Sequence, residues 1–209
     1  MRNRLIIIGA SGHGKVVADI ADRMNKWEAI AFLDDDEFIK DCRGLKVIGT
    51  VSDAYQYLED SDFFVAVGDN LTRKIIQEKL EALGVSLINL VHPSVVLGSS
   101  VEIGLGTAIM AGVVINSSCV IGKGCIINTS ASLDHDSILE EYVHISPGVN
   151  IAGSVKVGKR SWIGIGSSII NNINIGEDTI IGAGSVVIKN LPPSCIAVGS
   201  PAKAIRINE

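Results

Sequence analysis

The chain holds four histidines: His13, His92, His135 and His144. His135 stands in the run Leu133-Asp-His-Asp-Ser-Ile, with a carboxylate on each side. A neighbouring carboxylate orients an imidazole and stabilises its protonated form, as a general base requires. Asp134 and Asp136 both qualify for that role. Gly153 lies eighteen residues beyond His135, and His144 lies nine beyond it. Both intervals take their meaning from the elements that carry these residues.

From residue 91 a large aliphatic residue recurs every six positions, from Val91 and Leu97 through Ile145, Ile151 and Ile163 to Val187, without a failure. Four residues after each comes a small or β-branched side chain, such as Thr107, Cys119, Cys125, Ser137 or Ser161. The residue directly after each aliphatic is often Gly (98, 104, 122, 158, 164, 176, 182) or Asn or Asp. Those types tolerate positive φ, so this slot reads as the corner. One inward aliphatic, one small residue and one corner per six residues describe a hexapeptide-repeat parallel β-helix. Three hexapeptides make a coil of eighteen residues, and the repeat predicts about five coils. Gly153 then stacks directly on His135, leaving space and a backbone N–H beside the base as a candidate oxyanion donor. His144 is half a coil away and points from another side of the prism. The two histidines could meet only across a subunit boundary. Cys119 and Cys125 read as interior stackers.

Residues 1–88 lack the repeat. RLIIIG (4–9) reads as a buried strand, and HGKVVADIADRM (13–24) has helical apolar spacing. Further strands are expected over EAIAFLDDD and Asp62–Gly68, a helix over Leu71–Leu83, and a last strand or linker at VSLINL. Alternating strands and helices imply a small parallel α/β sheet. Gly9-Ala-Ser11-Gly12-His13-Gly14 enters the first helix as a Gly-rich turn of the kind that cradles phosphate. Asp34 and Asp35 close the second strand, where an acid can bind a ribose or a base edge. Gly68-Asp69-Asn70 with Arg73 forms another strand-to-helix turn. Together these features favour a nucleotide-type ligand. His92, before Pro93, is assigned a structural role.

Composition excludes several classes. Of 209 residues, 52 are Ile or Val and only 4% are aromatic, unlike a helical bundle; mean hydropathy is +0.37, unlike a disordered chain. Net charge is −5 with no basic run, which disfavours nucleic acid. No apolar run reaches the roughly 18–20 residues of a membrane span. The short apolar stretch after Met1 is too brief for a signal peptide. Four scattered Cys without a CxxC pair do not make a disulfide framework, and a cytoplasmic location is expected.

The segments GASGHGKVVADIA, FLDDD, VAVGDN, DHDSILEEYVHISPGVNIAG and the terminal VGSPAK together resemble the sugar acetyltransferases of the PglD/NeuD type. The resemblance spans nearly the whole chain. It implies a Rossmann-like α/β domain over residues 1–88 and a left-handed parallel β-helix with a C-terminal cap over 89–209. It implies a homotrimer with acetyl-CoA bound in a groove between adjacent β-helices, and a nucleotide-linked amino sugar held by the first domain. Matched residue by residue, His135 is the general base, Asp136 its carboxylate partner and Gly153 the oxyanion-side amide. His144 meets the thioester end, and Ile165, Ala183 and Lys203 lie along the CoA groove. Gly9, Ser11, Gly12, His13, Asp34, Asp35 and Arg73 fall on the sugar-nucleotide side. No metal is implied.

The expected activity is acetyl-CoA-dependent N-acetylation of a nucleotide-linked amino sugar, of the UDP-4-amino-sugar type, by direct transfer. O-acetylation of sialic acid or another sugar hydroxyl is the alternative on the same fold. A zinc hydratase would need three convergent histidines, and the coils supply two. A purely structural β-helix would leave the Gly-rich loop and the DHD segment unexplained.

Overall fold

The computed structural model describes residues 2–207. The chain divides after Pro93 into two compact units. The segment 89–93 therefore belongs to the first unit.

In the first unit the elements run β1 (Arg4–Ile8), α1 (Gly12–Met24), β2 (Ala29–Leu33), a hairpin of β3 (Asp41–Cys42) and β4 (Leu45–Lys46), a 3-10 helix (Val51–Tyr57), β5 (Ser61–Val65), α2 (Asn70–Ala82) and β6 (Ser86–Leu87). The sheet order is β2-β1-β5-β6, all parallel. Leu5, Ile6, Ile7 and Ile8 are all buried, because β1 is central and covered on both faces. Val17, Ala18, Ile20 and Ala21 put the apolar stripe of α1 into the core, and Asn25 ends the helix at φ 50°. Asp69 caps α2 by accepting from the Thr72 N–H at 2.8 Å. The third core strand stops at Val65, so Ala66–Gly68 is free to form the turn into α2.

The hairpin and the 3-10 helix add to the elements legible in the sequence. Arg43 and Gly44 have φ of 56° and 77°, the two consecutive left-handed residues of a tight hairpin turn. Thr50 and Asp53 cap the 3-10 helix reciprocally.

The second unit is a β-solenoid of two-residue strands. Val96–Leu97, Glu102–Ile103 and Ala108–Ile109 begin its three walls. Each strand pairs in parallel with the strand eighteen residues on, as in Val96↔Val114, Val120↔Ile138 and Ile126↔His144. The second residue of each pair points inward, so Leu133 is buried over Ile115, Leu139 over Ile121 and Ile145 over Ile127. One wall has six strands, which makes roughly six turns rather than five. The sixth turn holds Val186–Val187 on that wall and Cys195–Val198, which joins another wall through Ile180↔Ile196, two residues short of the full coil. Lys203–Ile207 folds back antiparallel on that strand.

The corner lies elsewhere than expected. Positive φ recurs three residues after the aliphatic, at Ser118, Asp136, Tyr142, Ser154 and Arg160, not one residue after it. The Gly residues in the first slot serve close approach instead. A Cβ on Gly98 would sit 2.5 Å from the Ser117 nitrogen of the next coil. The hydroxyl and thiol residues in the small-residue slot of the repeat form an interior ladder, donating to carbonyls fifteen residues later. Ser137 donates to Ala152 O at 3.1 Å, Ser161 to Gly176 O at 2.7 Å, and the Cys119 thiol to Asp134 O at 3.1 Å. Cys119 and Cys125 are buried and in no disulfide, and burial pushes the Cys119 thiol pKa up.

Candidate active site

His135 and Asp136 form the corner that follows the wall strand Ser132–Leu133. Asp136 is the left-handed residue of that corner, φ 59°. Its backbone is fixed by donation from its N–H to Ser117 O at 3.2 Å. The turn aims the carboxylate back at the imidazole, with His135 Nδ1 and Asp136 Oδ2 2.8 Å apart. Asp134 has a different partner: Asn116 Nδ2 donates to it at 2.6 Å. The Asp136 hydrogen bond is the main cause that raises the His135 pKa above the ordinary histidine value, with the charge of Asp134 a lesser contribution.

Gly153 lies one coil above, at the equivalent place in the next corner. A Cβ there would stand 2.6 Å from Cε1 and 2.7 Å from Nε2 of His135. The imidazole therefore lies across the bare face of Gly153, and its Nε2 edge is the edge nearest that face. Ser154 N–H donates to His135 O at 2.8 Å, which locks the two corners together. Among the described residues, the Gly153 N–H makes no backbone hydrogen bond within the solenoid.

His144 sits on another wall, in the outward position of the strand His144–Ile145, between Ile126 and Trp162 in register. Trp162 stacks on it, and sequence reasoning missed this residue. The available signal was the rarity of aromatics in the coils. Ile165 and Ala183 are exposed and stacked on the corner after that wall, joined by Gly184 N–H to Ile165 O at 2.8 Å. Lys203 is exposed at the start of the closing strand, paired with Val198. His144, Ile165 and Ala183 thus share one side of the prism, and His135 with Asp136 and Gly153 occupies another corner.

In the first unit a cleft of about 340 Å³ opens at the carboxyl ends of β1, β2 and β5. Gly9, Ser11, Asp34, Asp35 and Gly68 line it. This is where open parallel sheets hold ligands. Gly9 has φ 102°, and a Cβ on Gly14 would strike Gly9 O, so the loop is folded tightly against the start of α1. A Cβ on Gly12 would meet nothing within 4 Å, so that part of the loop is open. His13, half-buried, follows Gly12 in the first turn of α1. Asp34 accepts from Ala10 N–H at 2.6 Å and Asp35 from Val51 N–H at 2.9 Å. Each acid thus pins a loop that walls the cleft.

Arg73 does not line the cleft. It is fully buried, and its guanidinium donates to Val67 O and Gly68 O at 3.0 Å and to Asn70 Oδ1 at 2.7 Å. Its charge holds the turn after β5 rather than facing a ligand. Arg73→Met should lower stability by about 1–3 kcal/mol in denaturant unfolding, since the Val67 and Gly68 carbonyls lose a charged donor. An unchanged midpoint with lost nucleotide affinity would instead make Arg73 a direct ligand contact.

Among the described residues no group of His, Cys, Asp and Glu could hold a metal ion, and no helix is long and apolar enough to cross a membrane.

Comparison with known proteins gives concordant results. Residues 4–80 match the PglD N-terminal domain, and residues 154–189 match the bacterial transferase hexapeptide repeats. PerB from Caulobacter crescentus, solved with CoA and GDP-perosamine, is 41% identical, with 96% of each chain covered and a TM-score of 0.91. The acetyltransferase domain of PglB from Neisseria gonorrhoeae, solved with acetyl coenzyme A, is 38% identical over 98% of this chain and 100% of that one, with a TM-score of 0.95. The UDP-N-acetylbacillosamine N-acetyltransferase of Bacillus subtilis is 39% identical over 109 residues, 50% of this chain. That match spans about half of the relative's own length (49%). With its two units arranged in the same order and its length almost fully shared with PerB and the PglB domain, the chain belongs to the PglD-type family of hexapeptide-repeat sugar acetyltransferases.

Proposed function

We propose that the protein transfers the acetyl group of acetyl-CoA to the amino group of a nucleotide-linked amino sugar, with His135 as general base. The observation that carries this reading is the His135–Asp136 pair laid across the bare face of Gly153. The Nδ1–H donates to Asp136, so Nε2 keeps its lone pair for the incoming amine. The amine nitrogen attacks the thioester carbonyl while Nε2 takes its proton. The Gly153 N–H is the donor proposed for the oxyanion of the tetrahedral adduct. The carbon–sulfur bond then breaks and CoA leaves as a thiolate, which recovers the proton from the imidazolium.

The acetyl donor is assigned to the side of the prism that carries His144, Ile165 and Ala183, with Lys203 on the closing strand toward its far end. His144 takes the thioester end. Because His135 lies on a different corner, the complete site requires a second copy of the chain, as in a homotrimer. The cleft lined by Gly9, Ser11, Asp34 and Asp35, with Gly12 and His13 following at the start of α1, is assigned to the sugar nucleotide. Relatives include enzymes named for UDP- and GDP-linked substrates. A UDP-linked 4-amino sugar is therefore tested beside its GDP and dTDP counterparts, following thiol release from acetyl-CoA. Turnover with an amino sugar and none with the matching hydroxy sugar is expected. The reverse preference would establish O-acetylation instead.

The pH profile tests the dyad. The base must be neutral, and Asp136 holds the His135 pKa above its ordinary value. The acid limb of kcat/KM should therefore lie above the ordinary histidine value. Asp136→Asn removes the charge that favours imidazolium, so the limb should move to lower pH while the plateau falls. A limb that stays in place would assign it to another group.

A further inference from the structure

We propose that Trp162 is a positioning residue that orients the His144 imidazole toward the thioester. This rests on the assignment of His144 to the acetyl-CoA end of the site.

The two rings are stacked face to face, with centroids 5.5 Å apart and planes 6° from parallel. The stack follows from the repeat: Trp162 is the register partner of His144 one coil above. The indole is itself anchored, because its Nε1–H donates to Ser146 Oγ at 2.8 Å, and Ser146 is 5% exposed. A fixed indole therefore presents a fixed face to the imidazole.

Packing of the prism does not call for this residue. Trp162 points outward and is 48% exposed, while Ile163 beside it fills the interior. The matching outward positions on the other walls hold Ser168 and Asn174. Both His144 ring nitrogens are shielded from solvent in the single chain, so the groups packed on the ring hold its rotamer. The parallel indole one coil above is one of those groups. The strand Trp162–Ile163 leads directly into the corner that bears Ile165. A catalytic contact displaced by a wrong rotamer loses its effect even though the residue is present.

The test uses the intact chain. In the wild type the carbon-bound ring protons of His144, assigned by their disappearance in His144→Gln, should resonate upfield of ordinary histidine positions. Trp162→Leu should return them to ordinary positions and lower kcat/KM for acetyl-CoA about two- to tenfold. Trp162→Phe, which keeps an aromatic ring but loses the anchor to Ser146, should retain part of the shift and part of the activity. Ser146→Ala, which leaves the indole in place but unanchored, should give intermediate values and covers the case in which Trp162→Leu folds poorly. Ordinary His144 shifts in the wild type overturn the proposal. So does full activity in Trp162→Leu despite a lost shift. Unchanged turnover in His144→Gln overturns the assignment of His144 and the proposal with it, which separates the two failures.

Discussion

His135→Ala should reduce kcat by about 10²–10⁴, the usual worth of a positioned general base. The wild-type comparison is made with acetyl-CoA and the best acceptor of the nucleotide-sugar panel. The fold should be untouched, because the His135 side chain is 58% exposed and fills no interior space. Acetyl-CoA affinity, read by calorimetry, should stay within about twofold. The donor is assigned to the His144 side of the prism, whose stack and register do not involve His135. Added imidazole should recover part of the rate, since the alanine leaves an open space above Gly153 beside Asp136. Turnover close to wild type in His135→Ala would remove the base from the mechanism. A large loss of acetyl-CoA affinity would move His135 to the donor site.

Much of the solenoid is legible before any coordinates, for one physical reason. A coil of eighteen residues forces every third hexapeptide into the same environment, so Ile127, Ile145 and Ile163 must all be inward aliphatics. The stacking of Gly153 on His135 follows from the same arithmetic. Corner chemistry is less legible. Gly in the first slot signalled a turn, yet it answers the approach of the next coil, and the left-handed residues are mostly Ser, Asp, Asn and Gly two positions on. Both slots draw on the same small residue types, so composition cannot separate them.

The same limit applies to side-chain partners. Asp134 and Asp136 flank His135 symmetrically in sequence. Only the left-handed backbone of Asp136 turns its carboxylate to Nδ1, while Asp134 meets Asn116 on the wall. Arg73 shows the converse. A cation at a strand-to-helix turn looks like a phosphate ligand in sequence, but carbonyls from its own turn surround it. Trp162 carried no motif at all, and its partner became visible only through the eighteen-residue register.

Gly153→Ala should be nearly as damaging as removing a catalytic group, at little cost in stability. Gly153 is not among the residues with positive φ, so alanine fits its backbone. The conflict lies with the imidazole. The new Cβ would stand 2.6 Å from Cε1 and 2.7 Å from Nε2, whereas ordinary contact begins near 3.4 Å. His135 is exposed and can swing aside, so the ring moves and the coil does not. The displacement needed is roughly 1 Å, enough to cost about 10²-fold in kcat when a reacting atom is misplaced by that much. The thermal midpoint should change little. The decisive comparison is the double variant. If Gly153→Ala acts by displacing the base, it should add almost nothing to His135→Ala, because residues that act as one unit are not additive. Two losses that multiply would mean that the alanine blocks the proposed oxyanion donor independently of the imidazole. Full activity in Gly153→Ala would show that the bare face above His135 is not where the reaction takes place.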